Sequence, residues 1–183
     1  MSTNVSTKSP NLLWRIQNGE FPVNLKTKVF WLLIGTNDFL KDDLDYCSED
    51  VTLMGIKRVV GEIQLRMPET LIVINGLLPR AAKGREGRLY NNNGEITIMD
   101  AIDNVNEKLK SFCALDDGLH YFDAKDVFVE IDKEQGEEDK ISKFIPSSLM
   151  KDYLHPTPLG YQNWGKKIID ELHNLSDGDL IQS

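Results

Sequence analysis

The chain has 183 residues, 21 basic and 29 acidic for a formal charge of -8, with 40% hydrophobic residues. That length fits one domain with a buried core, and the apolar fraction is too high for a chain that stays unfolded. No window nears the roughly 18 unbroken apolar residues of a membrane span, and the acidic balance argues against a general nucleic-acid binder, whose affinity rests on Lys and Arg meeting phosphates.

Residues 1–10, MSTNVSTKSP, are small and polar and read as a tail, with no apolar stretch of the kind a secretory signal needs. Residues 11–18, NLLWRIQN, suit a short helix with Leu12, Leu13 and Ile16 on one face and Gly19 as its stop. Lys28 leads into VFWLLIG, an unbroken apolar run that reads as a strand over 28–34 covered on both faces. Across 49–67, Leu53, Ile56, Val60, Ile63 and Met67 recur at three and four, with Glu49 and Asp50 at the positive end and Pro68 closing the helix. TLIVINGLLP is a second apolar strand, and 80–95 read as a basic, then Asn- and Gly-rich loop. Ile98, Ile102, Val105, Leu109 and Phe112 predict a third helix, and LHYFDA a third strand. Residues 130–140 read as a charged surface loop. Thr157 and Pro158 suit the N-cap and first position of a last helix, with Tyr161, Trp164, Ile168 and Leu172 on its apolar face.

This alternation predicts an α/β fold with a parallel sheet and helices on both faces. In such sheets the working groups collect at the carboxyl ends of the strands. The places to look are just after Ile34, just after Ile74, and in the loop before the last helix.

Gly35-Thr36-Asn37-Asp38 follows the first strand. It reads either as a polar turn or as a loop offering the Asn37 amide to an oxyanion. Asp152 and His155 stand three apart before the last helix. In a turn that spacing lets a carboxylate reach imidazole Nδ1 while Nε2 stays open, the base-and-orienter half of a hydrolytic triad. The alternative is a surface Asp beside a His. His120 and His173 read as structural. Leu77 and Leu78, leaving the second strand, suit an acyl pocket or ordinary core packing. His155, Asp152 and the acidic stretch Asp42, Asp43, Asp45 show no metal-ligand spacing, so no metal is expected. Cys47 and Cys113 are too few for a disulfide framework or a four-ligand zinc site, which suits a reduced, cytoplasmic setting. A thiol nucleophile at Cys47 is the minor alternative. There is no G-x-S-x-G elbow, phosphate loop or dinucleotide fingerprint.

Taken together, NLLWRIQNGE, the strand ending in GTND, VINGLLPR and DYLHPTPLGY resemble the SGNH (GDSL-type) hydrolase family in order and context, from about residue 11 to about residue 174. The resemblance implies a three-layer α/β/α, flavodoxin-like fold with a short parallel sheet. It implies hydrolysis of short acyl or acetyl esters, with Asn37 as oxyanion donor, His155 as base, Asp152 as its orienter, and Gly35 beside the substrate. It implies no metal or organic cofactor, and a small acyl ester as the partner.

The chain departs from the family at the nucleophile. No Gly-Asp-Ser block occurs, and Gly178-Asp179 runs into Leu180. The family's serine and glycine blocks precede the helix that matches NLLWRIQN, where this chain offers only Ser2, Ser6 and Ser9. The expectation is a partial domain over 11–175, lacking its first two strands, with 176–183 as a tail. The strand 28–34 then becomes an apolar edge, through which homo- or hetero-oligomers would form. Two rival readings are a non-catalytic SGNH-like binding or assembly subunit, and a flavodoxin-like regulatory or nucleotide-binding domain, against which the missing phosphate loop counts.

Overall fold

The computed structural model describes residues 7–22, 25–39, 49–81, 86–90, 96–133 and 141–177. The chain divides into two compact units, Met1–Leu77 with Val105–Tyr121, and Leu78–Asn104 with Phe122–Ser183.

In the first unit, helix α1 (Ser9–Arg15) carries Pro10 in its first turn, where a missing N–H leaves no bond unmade. It continues into a single π-turn, Ile16–Glu20, in which Gly19 turns the chain out at φ +95°. This is the helix expected over 11–18, begun two residues earlier: Ser9 is buried and belongs to the helix, not to the polar tail. Strand β1 (Val29–Leu32) pairs in parallel with β2 (Leu71–Asn75), Val29 opposite Leu71 and Leu32 opposite Ile74. Strand β3 (Leu119–Phe122) completes the sheet in the order β1-β2-β3.

The central place of β2 explains its composition. All five of its residues are buried, and each large aliphatic side chain there contributes ~1.5–3 kcal/mol by leaving water. β1 differs: β2 is its one strand neighbour among the described residues, and only Leu32 of its four residues is fully buried. Among the described residues the apolar run is therefore an edge strand. Helix α2 (Glu49–Arg66) packs on α1 and buries Ile56, Val60 and Ile63 at the predicted spacing, with Val59 and Thr52 beside them. Helix α3 (Ile98–Cys113) buries Ile102, Val105 and Leu109.

The second unit holds the short helix α4 (Lys125–Phe128), strands β4 (Glu130–Lys133) and β5 (Ile141–Phe144), and helix α5 (Pro158–Asp177). β4 and β5 pair antiparallel, which corrects the reading of 130–140 as loop over 130–133; residues 134–140 lie outside the described residues. The strand is invisible to patterning because its one large apolar residue, Ile131, is 56% exposed. Its antiparallel pairing with β5, Glu130 opposite Phe144 and Lys133 opposite Ile141, defines it. The ladder extends beyond β5, where Leu89 N–H donates to Lys143 O at 3.1 Å and Ile145 N–H to Gly87 O at 2.9 Å.

α5 starts as predicted, with Thr157 Oγ1 accepting the Gly160 N–H at 3.2 Å and Pro158 in the first turn. Its apolar face is only partly covered: Trp164, Ile168 and Leu172 are half-buried, while Tyr161 is 55% exposed. Gly160 lies so close to the preceding loop that a Cβ would stand 2.4 Å from Leu149 O. Alanine normally favours a helix over glycine by about 1 kcal/mol. Here overpacking wins, and Gly160→Ala is expected to cost ~1–3 kcal/mol, read as a lower urea midpoint; a stabilised variant would contradict the close approach. No helix among the described residues is long and apolar enough to cross a membrane.

Candidate active site

The loop between β5 and α5 carries the Asp152–His155 pair. Asp152 Oδ1 accepts the backbone N–H of Leu154 at 3.1 Å and of His155 at 2.8 Å. The Asp side chain thus closes its own turn, as Asp does readily. The other carboxylate oxygen, Oδ2, lies 2.7 Å from His155 Nδ1. An ionised carboxylate only accepts, so the Nδ1 that faces it carries a proton, and in the neutral form of the ring Nε2 then holds the lone pair. This is the geometry that the three-residue spacing predicts.

The same contacts set the charge on Asp152. Partial burial raises its pKa, but the His155 ring and the His155 and Leu154 amides outweigh that and bring it from 3.8 down to about 2. The side chains of His155 and Asp152 are 73% and 57% exposed. At that exposure solvent screens the pair, and its worth to stability is small. Its consequence is orientation of the ring.

The loop after β1 is built differently. Gly35, buried at φ +120°, sits against Ile56 and Leu77, with Leu77 Cδ2 3.3 Å from where a Cβ would stand. Asn37 is half-buried, and its Nδ2 donates to Thr7 O at 3.2 Å, which uses one of two amide hydrogens. Asp38, buried, accepts the Ser9 N–H at 2.9 Å. The loop is thereby tied to the segment that opens α1. After β2, Leu77 is buried and Leu78 half-buried. The Leu77 backbone is held at both ends by Asn106 of α3: Leu77 N–H donates to Oδ1 at 2.7 Å, and Asn106 Nδ2 donates to Leu77 O at 3.0 Å.

Of the upstream serines, Ser9 is buried in the first turn of α1, while Ser2 and Ser6 lie outside the described residues. So do Cys47, Asp42, Asp43 and Asp45. Burial, then the Asp116 charge, push the buried Cys113 thiol up to about 11, which leaves it protonated and unreactive at neutral pH.

One half-buried network gives no sign of itself in the sequence. Tyr90 Oη donates to Asp103 Oδ2 at 2.6 Å, and Lys125 Nζ donates to Tyr90 Oη at 2.8 Å and to Asp103 Oδ1 at 2.6 Å. Burial, and then the bond to Asp103, raise the Tyr90 pKa, so its hydroxyl stays protonated. The three residues lie 13 to 35 positions apart, so no local pattern could reveal them.

A parallel-stranded α/β chain with helices between its strands falls in the flavodoxin-like class, and the carboxylate–imidazole pair stands in the loop before α5. The chain belongs to the GDSL-like lipase/acylhydrolase family, whose sequence model matches residues 3–168. Platelet-activating factor acetylhydrolase IB subunit alpha1 of Homo sapiens is 30% identical to it over 151 residues, 82% of this chain and 53% of the relative. The chain thus spans about half the length of the curated relatives it matches. Among solved structures, a Streptococcus pneumonia protein named for platelet activating factor superposes with a TM-score of 0.64 at 19% identity, over 91% of this chain and 68% of that one. A carbohydrate esterase family 3 structure from Talaromyces cellulolyticus gives 0.56 at 15% identity, over 92% and 68%. These likenesses place the fold in the three-layer α/β/α class that the family resemblance implies, and they agree with the parallel sheet read from the alternation of elements.

Proposed function

We propose that this chain carries the general-base half of an acyl-ester hydrolase acting on short acyl or acetyl esters. The observation behind this is the 2.7 Å contact between Asp152 Oδ2 and His155 Nδ1, set in a chain of the GDSL-like family. In that reaction a nucleophilic hydroxyl attacks the acyl carbon and gives its proton to His155 Nε2. Asn37 donates its second amide hydrogen to the oxyanion. Collapse of the tetrahedral species returns the proton to the leaving alkoxide, and water then repeats the cycle to release the acid. Gly35, Leu77 and Leu78 stand beside the acyl group in this reading, within a partial domain over 11–175. The unpaired, buried Cys113 favours a reduced, cytoplasmic setting.

The 183 residues hold no Gly-Asp-Ser block, so no residue is assigned as nucleophile and turnover by this chain alone is expected to be slow. p-Nitrophenyl acetate tests the assignment. The full chain is expected to hydrolyse it above the buffer rate, and His155→Ala to remove roughly 10²-fold of that excess. Equal, substantial turnover by both proteins would remove His155 from the reaction.

A second reading, an assembly or binding subunit, is favoured by the edge position of β1. An apolar edge invites pairing with another strand, from a second copy or a homologous subunit. The mass and the thermal midpoint of the pure chain are then expected to rise with concentration. A monomeric mass with a sharp, concentration-independent transition contradicts that expectation.

A further inference from the structure

Between Asp152 and His155 stands a residue whose backbone is unusual. Tyr153 has φ +59°, in the left-handed region that bulky residues rarely enter. Three contacts hold it there. Its N–H donates to Met150 O at 3.1 Å, and its carbonyl accepts the Ala81 N–H at 3.2 Å. Its half-buried ring lies on Gly87, so that a Cβ on that glycine would stand 2.9 Å from Tyr153 Cε1 and 3.1 Å from Cδ1. Gly87 is itself fixed: its carbonyl accepts the Ile145 N–H at 2.9 Å, it takes φ +84°, and any Cβ there would meet Ile145 O at 2.4 Å. The ring therefore rests on backbone anchored to the end of β5.

The left-handed step shapes the next two residues. The left-handed step at Tyr153 lies inside the turn in which the Leu154 and His155 amides come back onto Asp152 Oδ1 and Oδ2 faces the imidazole. Asp152 and His155 are themselves exposed, so burial of their own side chains does not fix the turn.

We infer that Tyr153 is the positioning residue of the Asp152–His155 pair: its ring, seated on Gly87, and its carbonyl, held by Ala81, keep the turn in the one conformation that aims Asp152 at Nδ1. The inference rests on the reading of His155 as base, but its test does not require turnover. Tyr153 is given no contact with substrate or with the transferred proton. It acts through the carboxylate and the ring, which makes the imidazole tautomer the right signal to measure.

The experiment uses the full chain, labelled with ¹⁵N, and long-range ¹H–¹⁵N spectra of its imidazoles at a pH where the rings are neutral; His155→Ala identifies the signal. In the unaltered chain His155 is expected to carry its proton on Nδ1. Tyr153→Phe, which keeps the ring, retains that tautomer. Tyr153→Ala reverts His155 to the Nε2–H form that dominates in free histidine, and the Asp152 carboxyl, followed by ¹³C, moves from about 2 back towards its ordinary 3.8. If Tyr153→Ala does not fold, Tyr153→Asn serves, because asparagine accepts a positive φ but cannot fill the seat on Gly87; the same reversion is expected. Retention of the Nδ1–H form in the alanine or asparagine variant, even with a lowered melting temperature, would make Tyr153 a packing residue only and overturn the inference. An Nε2–H tautomer in the unaltered chain would overturn it as well. Failure of the hydrolysis assay, by contrast, strikes the base reading and leaves the tautomer result standing.

Discussion

Asn106→Ala is expected to be among the most destabilising single substitutions in the described core. The Asn106 amide satisfies both the N–H and the carbonyl of Leu77, a residue only 2% exposed. Removing it strands two backbone groups where water does not reach them, each costing ~1–3 kcal/mol, so a total of ~2–5 kcal/mol is expected. Urea unfolding reads this as a lower midpoint with an unchanged slope. Asn106→Asp serves as a control with a different defect. Its carboxylate can still accept from the Leu77 N–H, but it turns an oxygen towards the Leu77 carbonyl and should also destabilise. An alanine variant within about 0.5 kcal/mol of the unaltered chain, the range of a bland surface change, would mean that the Leu77 backbone finds other partners.

Asp152→Asn is the second large effect, and it falls on activity. The asparagine oxygen can still accept the Leu154 and His155 amides, so the turn is expected to survive. Its NH₂ now faces Nδ1 as a donor, which forces the ring proton onto Nε2 and removes the lone pair that a base needs. The p-nitrophenyl acetate rate above buffer should fall towards that of His155→Ala, a loss of up to ~10²-fold. A variant that keeps this rate while His155→Ala loses it would deprive Asp152 of its orienting role. The acid side of the pH profile comes from the same contacts. A carboxyl whose pKa is depressed contributes its stabilisation in full above its ordinary 3.8 and loses it as pH falls through about 2. Through the weakly acidic and neutral range Asp152 stays charged, so its own titration does not change the rate there.

Much of this was legible in the sequence because it is local. An unbroken apolar run marks β2 as a strand covered on both faces, and the spacing of Ile56, Val60 and Ile63 marks the buried face of α2. The Thr157-Pro158 start of α5 and the Asp152–His155 contact each involve residues within a single turn. What stayed hidden depends on distant partners. Asn106 and Leu77 are 29 positions apart, and an asparagine in a helix looks like a surface residue until a backbone segment is laid against it. Tyr90, Asp103 and Lys125 meet for the same reason, across three segments of the chain. β4 and β5 were missed because neither EIDK nor ISKF shows an alternation of apolar and polar residues. The positive φ of Tyr153 was hidden too, since a tyrosine between Asp and Leu gives no hint that its neighbours pin it there.

The proposed chemistry turns on Asp152 orienting His155 to act as a base. One preparation of the full chain, with p-nitrophenyl acetate hydrolysis and the His155 imidazole signal followed over the same pH series, probes that role without an intermediary. The rate above buffer is expected to rise with the same midpoint as deprotonation of the His155 ring, and this rise is expected to vanish in His155→Ala. A rate that ignores the ring's titration, or an identical rise in His155→Ala, would contradict a base at His155.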